Sequence, residues 1–249
     1  MKTNVNNIAP DITQAAQEAF EEMYIAVRDK EGRLYSDKEV ARLPNIDKGH
    51  RYYKEWRKRK QSSEQLITYL KQRQQPLHVL EVGCGNGWLS SRLANIHNAQ
   101  VTGLDPNRVE IEQAKRVFKK KPNLKFIHGS FDNNTFNGPV KFDVIIFAAS
   151  IQYFPSIKDT IADAFSLLSK TGRVHVLDTP FYHTNELEMA AKRSFVYYDS
   201  LGFPQMSHYY YHHPLKQVLE LKHKTMIDPT TLWNRLTKKN IFYWIILKP

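Results

Sequence analysis

Residues 77–88 read LHVLEVGCGNGW, and this stretch indicates the fold class of the 249-residue chain. Its apolar beginning, 77–82, has the length and composition of a buried strand, and a helical pattern starts at Trp88. Between them, five positions hold three of the chain's ten glycines: Gly83, Gly85 and Gly87. Glycine allows positive φ angles and lets a ligand approach the backbone closely. The stretch therefore predicts a buried strand, a ligand-binding turn and a helix in direct succession.

The spacing of these glycines separates two kinds of cofactor. The dinucleotide fingerprint G-x-G-x-x-G would place its third glycine at position 88, where this chain has Trp88. An indole there is poorly compatible with a pyrophosphate at the helix N-terminus, but it is compatible with a zwitterionic methionine tail. Asp105 ends the next predicted strand, where a carboxylate can accept both ribose hydroxyls of a nucleoside. Glu81 has two open interpretations, a structural carboxylate that bonds loop amides or a direct ligand contact.

Strands and helices continue to alternate after this turn. The predicted strands cover 77–82, 100–104, 124–128, 142–148 and 173–178, and the predicted helices cover 88–96, 107–120 and 157–168. Ser156 and Asp159 have the spacing of a capping box at the start of the last helix, and Thr171-Gly172 is expected to end it. Such alternation predicts a parallel, doubly wound sheet whose right-handed crossovers place the ligand-binding loops on one edge.

Two helical segments precede the alternating region. Residues 12–27 and 50–72 have apolar side chains at helical spacing, and the polar stretch 28–47 between them is interpreted as a loop. The second segment either closes over a bound cofactor or has an ordinary role, with its tryptophan in the core and its arginine on the surface. The side chains concerned are Tyr53, Trp56 and Arg57.

The alternation stops for about 35 residues after Asp178. A helix capped at Asn185 and ending near Ser200 is predicted first, followed by a loop rich in His and Tyr at 207–214. An insertion of this length after a strand predicts a lid or cap over the ligand-binding edge. The chain then resumes with a strand from about residue 216, a helix over 229–238 and a final strand over 241–247.

Several of these stretches resemble the motifs of class I S-adenosylmethionine-dependent methyltransferases. The matching stretches are VLEVGCGNG at 79–87, VTGLD at 101–105, FDVII at 142–146 and LLSKTGRVHVLD at 167–178. The resemblance implies an α/β, Rossmann-like fold with a seven-stranded, mostly parallel sheet and an antiparallel last strand. It implies one domain over 1–249, with an N-terminal helical extension at 1–75, a cofactor-binding core at 77–178, a cap at 179–215 and C-terminal strands at 216–249.

The resemblance also implies S-adenosylmethionine as the cofactor and S-adenosylhomocysteine as the product. In this family the third strand is usually followed by Gly-Asp, whereas this chain has Gly129-Ser130-Phe131, so Ser130 is expected to take the polar role and Phe131 the stacking role. The predicted cofactor-binding set is Glu81, Gly83, Cys84, Gly85, Asn86, Gly87, Trp88, Asp105, Pro106, Ser130, Phe131 and Ala148.

The range of possible methyl acceptors is narrowed by sequence motifs that this chain lacks. Nucleic-acid amine methyltransferases carry an Asn/Asp-Pro-Pro-aromatic motif after the fourth strand, where this chain has ASIQYF at 149–154, as in members that act on small molecules. The only cysteine, Cys84, lies in the cofactor turn, so pyrimidine C5 chemistry is not expected, and no carboxylate cluster for Mg²⁺ follows that strand. The predicted enzyme methylates an oxygen or nitrogen of a small or carbohydrate-like acceptor. The alternatives are an NAD(P)-dependent oxidoreductase on the same fold and a non-catalytic RNA-binding module.

Candidate acceptor-side residues come from the segment after the fourth strand and from the cap. Tyr153 and His212 are the candidates for a catalytic group, because a base is needed when the acceptor is not already nucleophilic. The candidates for substrate contact are Tyr153, Tyr182, His208, Tyr210 and His213. An aromatic loop with surface histidines remains an open interpretation of 207–214. No metal site is expected, because the cap histidines have no carboxylate near them in sequence.

The formal net charge of +11 favours anionic partners. Two basic segments, 48–60 and 115–121, are interpreted as solvated helix faces in preference to a nucleic-acid surface, and an anionic small-molecule acceptor is compatible with them. No apolar run has membrane-spanning length, and residues 1–10 lack the apolar centre of a secretory signal. The expectation is a bacterial, cytoplasmic enzyme with no membrane partner.

Overall fold

The computed structural model describes residues 9–73, 75–132, 135–136 and 140–249, with side chains from residue 18 onward. The expectation about a secretory signal at 1–10 falls mostly outside these residues. The strands are β1 Leu77–Val82, β2 Ala99–Asp105, β3 Leu124–His128, β4 Phe142–Ala148, β5 Leu168–Thr179, β6 His223–Ile227 and β7 Tyr243–Leu247. The α-helices are α1 Ala9–Glu31, α2 Asp37–Val40, α3 Tyr53–Lys71, α4 Trp88–Leu93, α5 Arg108–Phe118, α6 Ile157–Ser166, α7 Leu187–Ser200, α8 Leu215–Leu219 and α9 Leu232–Thr237.

All seven strands form one sheet in the order β3-β2-β1-β4-β5-β7-β6. β7 runs antiparallel to both of its neighbours, and the other pairs along the sheet are parallel. The predicted seven-stranded, mostly parallel sheet with an antiparallel last strand is therefore confirmed. The first and fourth strands have the predicted bounds, and the apolar run of the fourth is typical of a strand that helices cover on both faces.

Alternate residues of the central strands bury themselves on opposite faces of the sheet. Val144 and Ile146 of β4 belong to a core with α3 and α4, whereas Ile145 and Phe147 belong to a core with α6. All four side chains are fully buried. The parallel strands end at the same edge of the sheet, so the segments that follow them are brought together there.

Two predicted boundaries before and within the core are wrong. The stretch 28–47 contains the last turn of α1 and the whole of α2, which begins with a capping box formed by Ser36 and Glu39. Gly172 does not end α6, which already stops at Ser166, but lies inside β5. A Cβ at Gly172 would lie 2.8 Å from the carbonyl oxygen of Phe142, so glycine allows the two strands to approach closely there.

The cap also differs in detail from its prediction. A 3₁₀ turn at 184–186 precedes α7, and His183 and Glu186 form a capping box around it. Asn185 lies inside this turn and is therefore not the cap of α7. A second 3₁₀ turn, Pro204–Tyr209, takes up the start of the predicted His- and Tyr-rich loop. The short helix α8 occupies the predicted start of the sixth strand at residue 216. Tertiary contacts determine where such short elements form. The second 3₁₀ turn, for example, packs on both α7 and α1.

Among the described residues no helix is both long and apolar enough to pass through a bilayer.

Candidate active site

The glycine turn after β1 is built from three left-handed residues with different roles. Gly83, Gly85 and Gly87 have φ angles of +73°, +51° and +75°. A Cβ at Gly83 would overlap the side chain of Ser150, and a Cβ at Gly87 would lie 2.5 Å from the Phe126 ring. Gly83 and Gly85 line cavities at the sheet edge, whereas Gly87 does not belong to their described walls. Gly87 therefore serves the packing of the turn on β3, in contrast to its predicted place against the cofactor.

Asp105 holds the turn in place from the end of β2. Its two carboxylate oxygens accept the amide hydrogens of Gly85 and Asn107, each at 2.8 Å. Burial raises the pKa of Asp105, and the two amide hydrogen bonds oppose that rise. The carboxylate is thus fixed in the wall of the adjacent cavity, with lone pairs left for further donors.

The first cavity, of about 320 Å³, lies at the ends of β1, β2, β3 and β4. We call it the nucleoside cavity. Its walls include Asp105, Pro106, Ser130 and Phe131, all predicted to contact the cofactor. Phe131 is held edge-on against Phe147, with ring centroids 5.7 Å apart. A mostly apolar slot with one carboxylate at the strand end fits an adenosine group.

A second, narrower cavity of about 100 Å³ continues along the glycine turn, and we call it the tail cavity. Five of the predicted cofactor residues lie in its wall besides the glycines: Glu81, Cys84, Asn86, Trp88 and Ala148. Glu81 accepts a hydrogen bond from the Ser90 hydroxyl at 2.5 Å, and burial raises its pKa to about 8. This contact agrees with a structural role for Glu81, although its bond goes to α4 and not to the loop amides.

Helix α3 has features of both of its interpretations. Trp56 is buried, packs edge-on against Trp88 at 5.2 Å and donates to the Tyr35 hydroxyl at 2.7 Å. Arg57 is exposed. The core-and-surface interpretation therefore holds for this pair, although Trp56 also contributes to the wall of the tail cavity.

The third and largest cavity, of about 620 Å³, lies between the sheet edge and the cap, and we call it the cap cavity. Its walls are formed by α1, α3, the ends of β4 and β5, and α7 of the cap. The charged wall residues are Arg28, Glu31, Arg33, Lys54, Glu55, Lys58, Arg59, Asp178 and Arg193. Six cations and three carboxylates make this wall positive as a whole.

The three cavities meet at Ala149, directly after β4. Among the described residues, Ala149 alone belongs to the walls of all three. Its φ angle is +55°, which is uncommon for a residue with a Cβ. Asp178, at the end of β5, has a φ of +57° and borders the tail and cap cavities. Strained backbone of this kind clusters at functional sites, and here it marks the junction of three cavities.

The predicted acceptor-side residues divide into two groups. Tyr153, Tyr182 and Tyr210 lie in the wall of the cap cavity. His208 is exposed outside the described cavity walls, and His213 is buried, with its Nε2 donating to the carbonyl of Ile151 at 3.2 Å. Neither histidine reaches the cap cavity. The 3₁₀ turn Pro204–Tyr209 and the β-bridge between Tyr182 and Pro214 direct Tyr182 and Tyr210 towards the cavity instead.

His212 lies one layer behind the wall. Its Nε2 pairs with the hydroxyl of Ser194 at 2.9 Å, and it is Ser194 that lines the cap cavity. Burial lowers the pKa of His212. Among the described residues no group of three or more His, Cys, Asp or Glu side chains has an arrangement suited to a metal ion.

Helix α1 is the element that sequence reasoning overlooked. Phe20 and Tyr24 line the nucleoside cavity, Tyr24 and Arg28 line the tail cavity, and Arg28 also lines the cap cavity. Glu21 in the same helix bonds Asn107 and Arg108 at the start of α5. The sequence contained an indication of this role, because Phe20, Tyr24 and Arg28 are spaced by four and therefore share one face of the helix.

Glu55 organises the arginines of the cap cavity. Arg33 forms two hydrogen bonds to it, at 3.0 and 2.6 Å, and Arg59 forms a third at 3.0 Å. Burial would raise the pKa of Glu55, but these two arginines outweigh that effect and lower the pKa to about 2. Glu55 therefore stays ionised and fixes both guanidinium groups against the tail and cap cavities.

We expect Glu55→Gln to lower the melting temperature at neutral pH, and the difference from the unsubstituted chain to shrink on acidification. The folded-state pKa lies below the unfolded value of 4.5, so the stabilisation by Glu55 is fully present above pH 4.5 and is lost as pH falls towards 2. Thermal melts between pH 7 and 3 measure it. Glu64→Gln, a more exposed change on the same helix, is the control, and a difference that stays constant over this range would contradict the assignment.

Comparisons with known proteins agree with this geometry. A family model described as a methyltransferase domain matches residues 79–172. Peramine synthetase of Metarhizium majus is 31% identical over 102 residues, which are 36% of this chain and 4% of that protein. Malonyl-[acyl-carrier protein] O-methyltransferase 1 of Ilyobacter polytropus is 27% identical over 132 residues, which are 52% of this chain and 48% of that protein. The chain thus spans less than half the length of these curated relatives.

A solved structure shares the fold. Magnesium protoporphyrin IX methyltransferase from Synechocystis PCC 6803, with bound S-adenosylhomocysteine, superimposes with a TM-score of 0.53 at 18% identity, over 84% of this chain and 91% of that one. The family match covers the glycine turn, Asp105 and the start of β5, and the sheet order agrees with the fold implied by the motifs. Residues 79–172 therefore match a methyltransferase domain, and the sheet has the fold of class I S-adenosylmethionine-dependent methyltransferases.

Proposed function

We propose that this protein transfers the methyl group of S-adenosylmethionine to an oxygen or nitrogen of a small or carbohydrate-like acceptor that carries negative charge. The observation that supports this most directly is the meeting of three cavities at Ala149. When bound, the cofactor supplies an electrophilic methyl group on a sulfonium. The protein's main contribution to such a displacement is to hold donor and acceptor in line.

The cofactor's two ends fit two of these cavities. Asp105 in the wall of the nucleoside cavity would accept the ribose hydroxyls, and Phe131 and Pro106 would contact the adenine. The turn from Gly83 to Asn86 would hold the methionine tail, with Arg28 in the tail cavity available for its carboxylate. Because Ala149 lies where the three cavities meet, the acceptor would approach the methyl group from the cap cavity.

The charge of the cap cavity favours an anionic acceptor. Arg28, Arg33 and Arg59 are paired with Glu31 or Glu55. Lys54, Lys58 and Arg193 also line the cavity but form no ion pair among the described salt bridges. Cations with no carboxylate partner in a concave wall attract an anion such as a carboxylate or phosphate.

Asp178 is the group we assign to proton removal when the acceptor is a hydroxyl or an ammonium. It borders the tail and cap cavities beside Ala149, and its Oδ2 accepts a hydrogen bond from Ser62 at 2.7 Å. Burial raises its pKa, which brings this carboxylate closer to the pH at which a general base is most effective. The earlier candidates are less suitable: burial also raises the pKa of Tyr153, and His212 lies behind Ser194.

A methyl-transfer assay with matched acceptors tests this function. The protein is incubated with S-adenosylmethionine labelled in its methyl group and with a panel of small hydroxylated and aminated acids, each paired with its neutral amide. We expect label to enter acids and not their amides. Equal labelling of both members of each pair would contradict the requirement for an anionic acceptor. Labelling of no member of the panel would contradict the proposed acceptor class.

We expect Arg193→Gln to raise the KM for the acceptor about tenfold while leaving kcat within about twofold, because a charge-assisted hydrogen bond to an anion contributes ~1.5 kcal/mol or more. Arg193 lies in α7 and lines the cap cavity. Steady-state kinetics on the best acid of the panel measures this. Lys192→Gln, the neighbouring exposed cation outside the described cavity wall, is the matched control; the same KM in both variants would contradict the role of Arg193.

The two alternative functions have weaker support. Trp88 is buried at the start of α4 and occupies the place where a nicotinamide dinucleotide would bring its pyrophosphate, which argues against an oxidoreductase. An RNA-binding module would use the cations of the basic helix α3. Three of these cations, Lys54, Lys58 and Arg59, instead line the cap cavity, which argues against that module. Loss of RNA binding on neutralising exposed α3 cations, with no methyl transfer to any acid, would favour that module.

A further inference from the structure

Helix α9 presents its apolar side chains to solvent. Leu232, Trp233 and Leu236 are 74, 69 and 73% exposed. The inward residue is polar instead: Asn234 donates to the carbonyl of Asp228 at 2.8 Å and accepts from Asn240 at 2.9 Å. A surface helix of a globular protein normally buries its apolar stripe, so this orientation is the reverse of the usual one. Three large apolar side chains on one short protrusion need a partner that this part of the chain does not supply.

The protrusion is bordered by cations. Arg235 lies in α9, Lys238 and Lys239 follow its end, and all three are exposed; no Asp or Glu occurs in 229–249. Lys58 of α3 donates to the backbone carbonyls of Lys238 and Lys239, which holds the end of α9 on the basic segment of α3. The exposed side chains of Lys54 and Arg57 extend the same positive surface.

We propose that this surface, formed by α9 and the basic segment 54–58 of α3, docks on an anionic lipid bilayer. Exposed Leu and Trp side chains bordered by Lys and Arg are the composition that binds the interface of such a bilayer, where Trp is enriched. A second copy of this chain fits less well, because a symmetric contact would bring two sets of the same cations together. A long apolar run is needed to span a bilayer but not to lie on its surface, so the lack of such a run in the sequence is compatible with docking.

The position of this surface next to the cap cavity gives the docking a consequence. Ile241 and Phe242, a few residues after the end of α9, line the cap cavity together with Lys54 and Lys58. Ile241 is itself 47% exposed. Docking therefore places the mouth of the cap cavity beside the lipid headgroups. The inference does not depend on the proposed methyl transfer, because it rests on exposure and charge alone.

Vesicle binding tests this proposal without any activity measurement. The full chain is sedimented with vesicles of phosphatidylcholine alone and of phosphatidylcholine with phosphatidylglycerol. We expect binding to the anionic vesicles only, weakening as salt is added. Trp233→Ser should weaken it about tenfold through lost apolar burial. The triple change Arg235→Gln, Lys238→Gln, Lys239→Gln should weaken it about 100-fold, since each cation near an anionic surface contributes roughly fivefold.

Matched variants elsewhere on the molecule separate a local surface from general charge. Val109→Ser removes another exposed apolar side chain, and the triple change Lys119→Gln, Lys120→Gln, Lys125→Gln removes three exposed cations around α5 and β3. Both should bind vesicles like the unsubstituted chain. Equal weakening by the matched and α9 variants would overturn the proposal, as would equal binding to neutral vesicles.

Other occupants of the surface have their own signatures. A dimer in light scattering that Trp233→Ser abolishes, with no vesicle binding, would assign the surface to a second copy of the chain. Binding to polyglutamate that depends on the same residues, again with no vesicle binding, would assign it to an acidic protein. Either result would overturn docking on lipid.

Discussion

Asp105→Ala is expected to weaken the binding of S-adenosylhomocysteine at least about 100-fold, because two hydroxyl hydrogen bonds to an ionised buried group contribute ~1.5–3 kcal/mol each. The substitution also removes the acceptor for the amides of Gly85 and Asn107, which position the glycine turn. Isothermal titration calorimetry measures the loss. Asp37→Ala, which removes a surface carboxylate bound to Arg116, is the control and should bind with unchanged affinity. An Asp105→Ala protein that is folded by circular dichroism and binds normally would contradict the assignment.

The pH dependence of this binding gives a second readout. Burial raises the pKa of Asp105, so its carboxylate takes up a proton at a higher pH than an exposed aspartate does. A protonated Asp105 accepts hydroxyl hydrogens poorly, and we therefore expect affinity to fall as pH is lowered. In Asp105→Asn this fall should disappear, and an unchanged pH profile in that variant would exclude Asp105 as its cause.

Asp178→Asn is expected to lower kcat by about 100-fold or more while leaving the affinity for S-adenosylhomocysteine within about threefold, since general bases typically contribute 10²–10⁴-fold. The amide is nearly isosteric and keeps the hydrogen bond from Ser62, so the strained end of β5 is preserved. Single-turnover assays on the acid found in the acceptor panel measure the step. Asp163→Asn, a carboxylate of α6 outside the described cavity walls, is the control. Full activity of Asp178→Asn would contradict its role as base.

Ser62 supplies a test that a merely structural role of Asp178 would not satisfy. The Ser62 hydroxyl stabilises the ionised carboxylate, which opposes the rise in the pKa of Asp178 that burial causes. Ser62→Ala should therefore move the acidic limb of the pH–rate profile to higher pH and leave the plateau at high pH near its original value. A uniform loss of rate at all pH values would indicate that Ser62 acts only by packing.

The parts of the fold that sequence predicts well are those whose cause is local. The run FDVIIFA has no polar interruption except Asp143, and a strand covered on both faces requires just such a run, so β4 was bounded correctly. Ser156, which the spacing predicts as a cap, accepts the amide hydrogen of Asp159 at the start of α6. By contrast, Gly172 has the appearance of a helix stop and yet lies in β5, because its partner is the backbone of Phe142.

The candidate site divides in the same manner. Asp105 ends a matched motif, and Ser130 and Phe131 follow the third strand where this chain departs from the family pattern; the structure places all three in the wall of the nucleoside cavity. His208 and His213 were selected for their chemistry alone, and they point elsewhere because the packing of a short 3₁₀ turn sets their direction. Residues of α1 lie outside the matched motifs, and Asp178 ends the matched stretch 167–178 without having been selected as a candidate; the structure brings them together in the walls of the tail and cap cavities.

By itself, the sequence determined the parallel sheet, the glycine turn and the methyl donor, since hydrophobic period, glycine spacing and a strand-end acid are properties of neighbouring residues. Only the tertiary structure shows which residues form the walls of the cap cavity. The cap cavity takes its walls from α1, α3, the ends of two strands and the cap, and these segments are far apart along the chain. The charge of a cavity is set by which side chains converge on it and which of them are already paired, and convergence of distant segments is a result of folding.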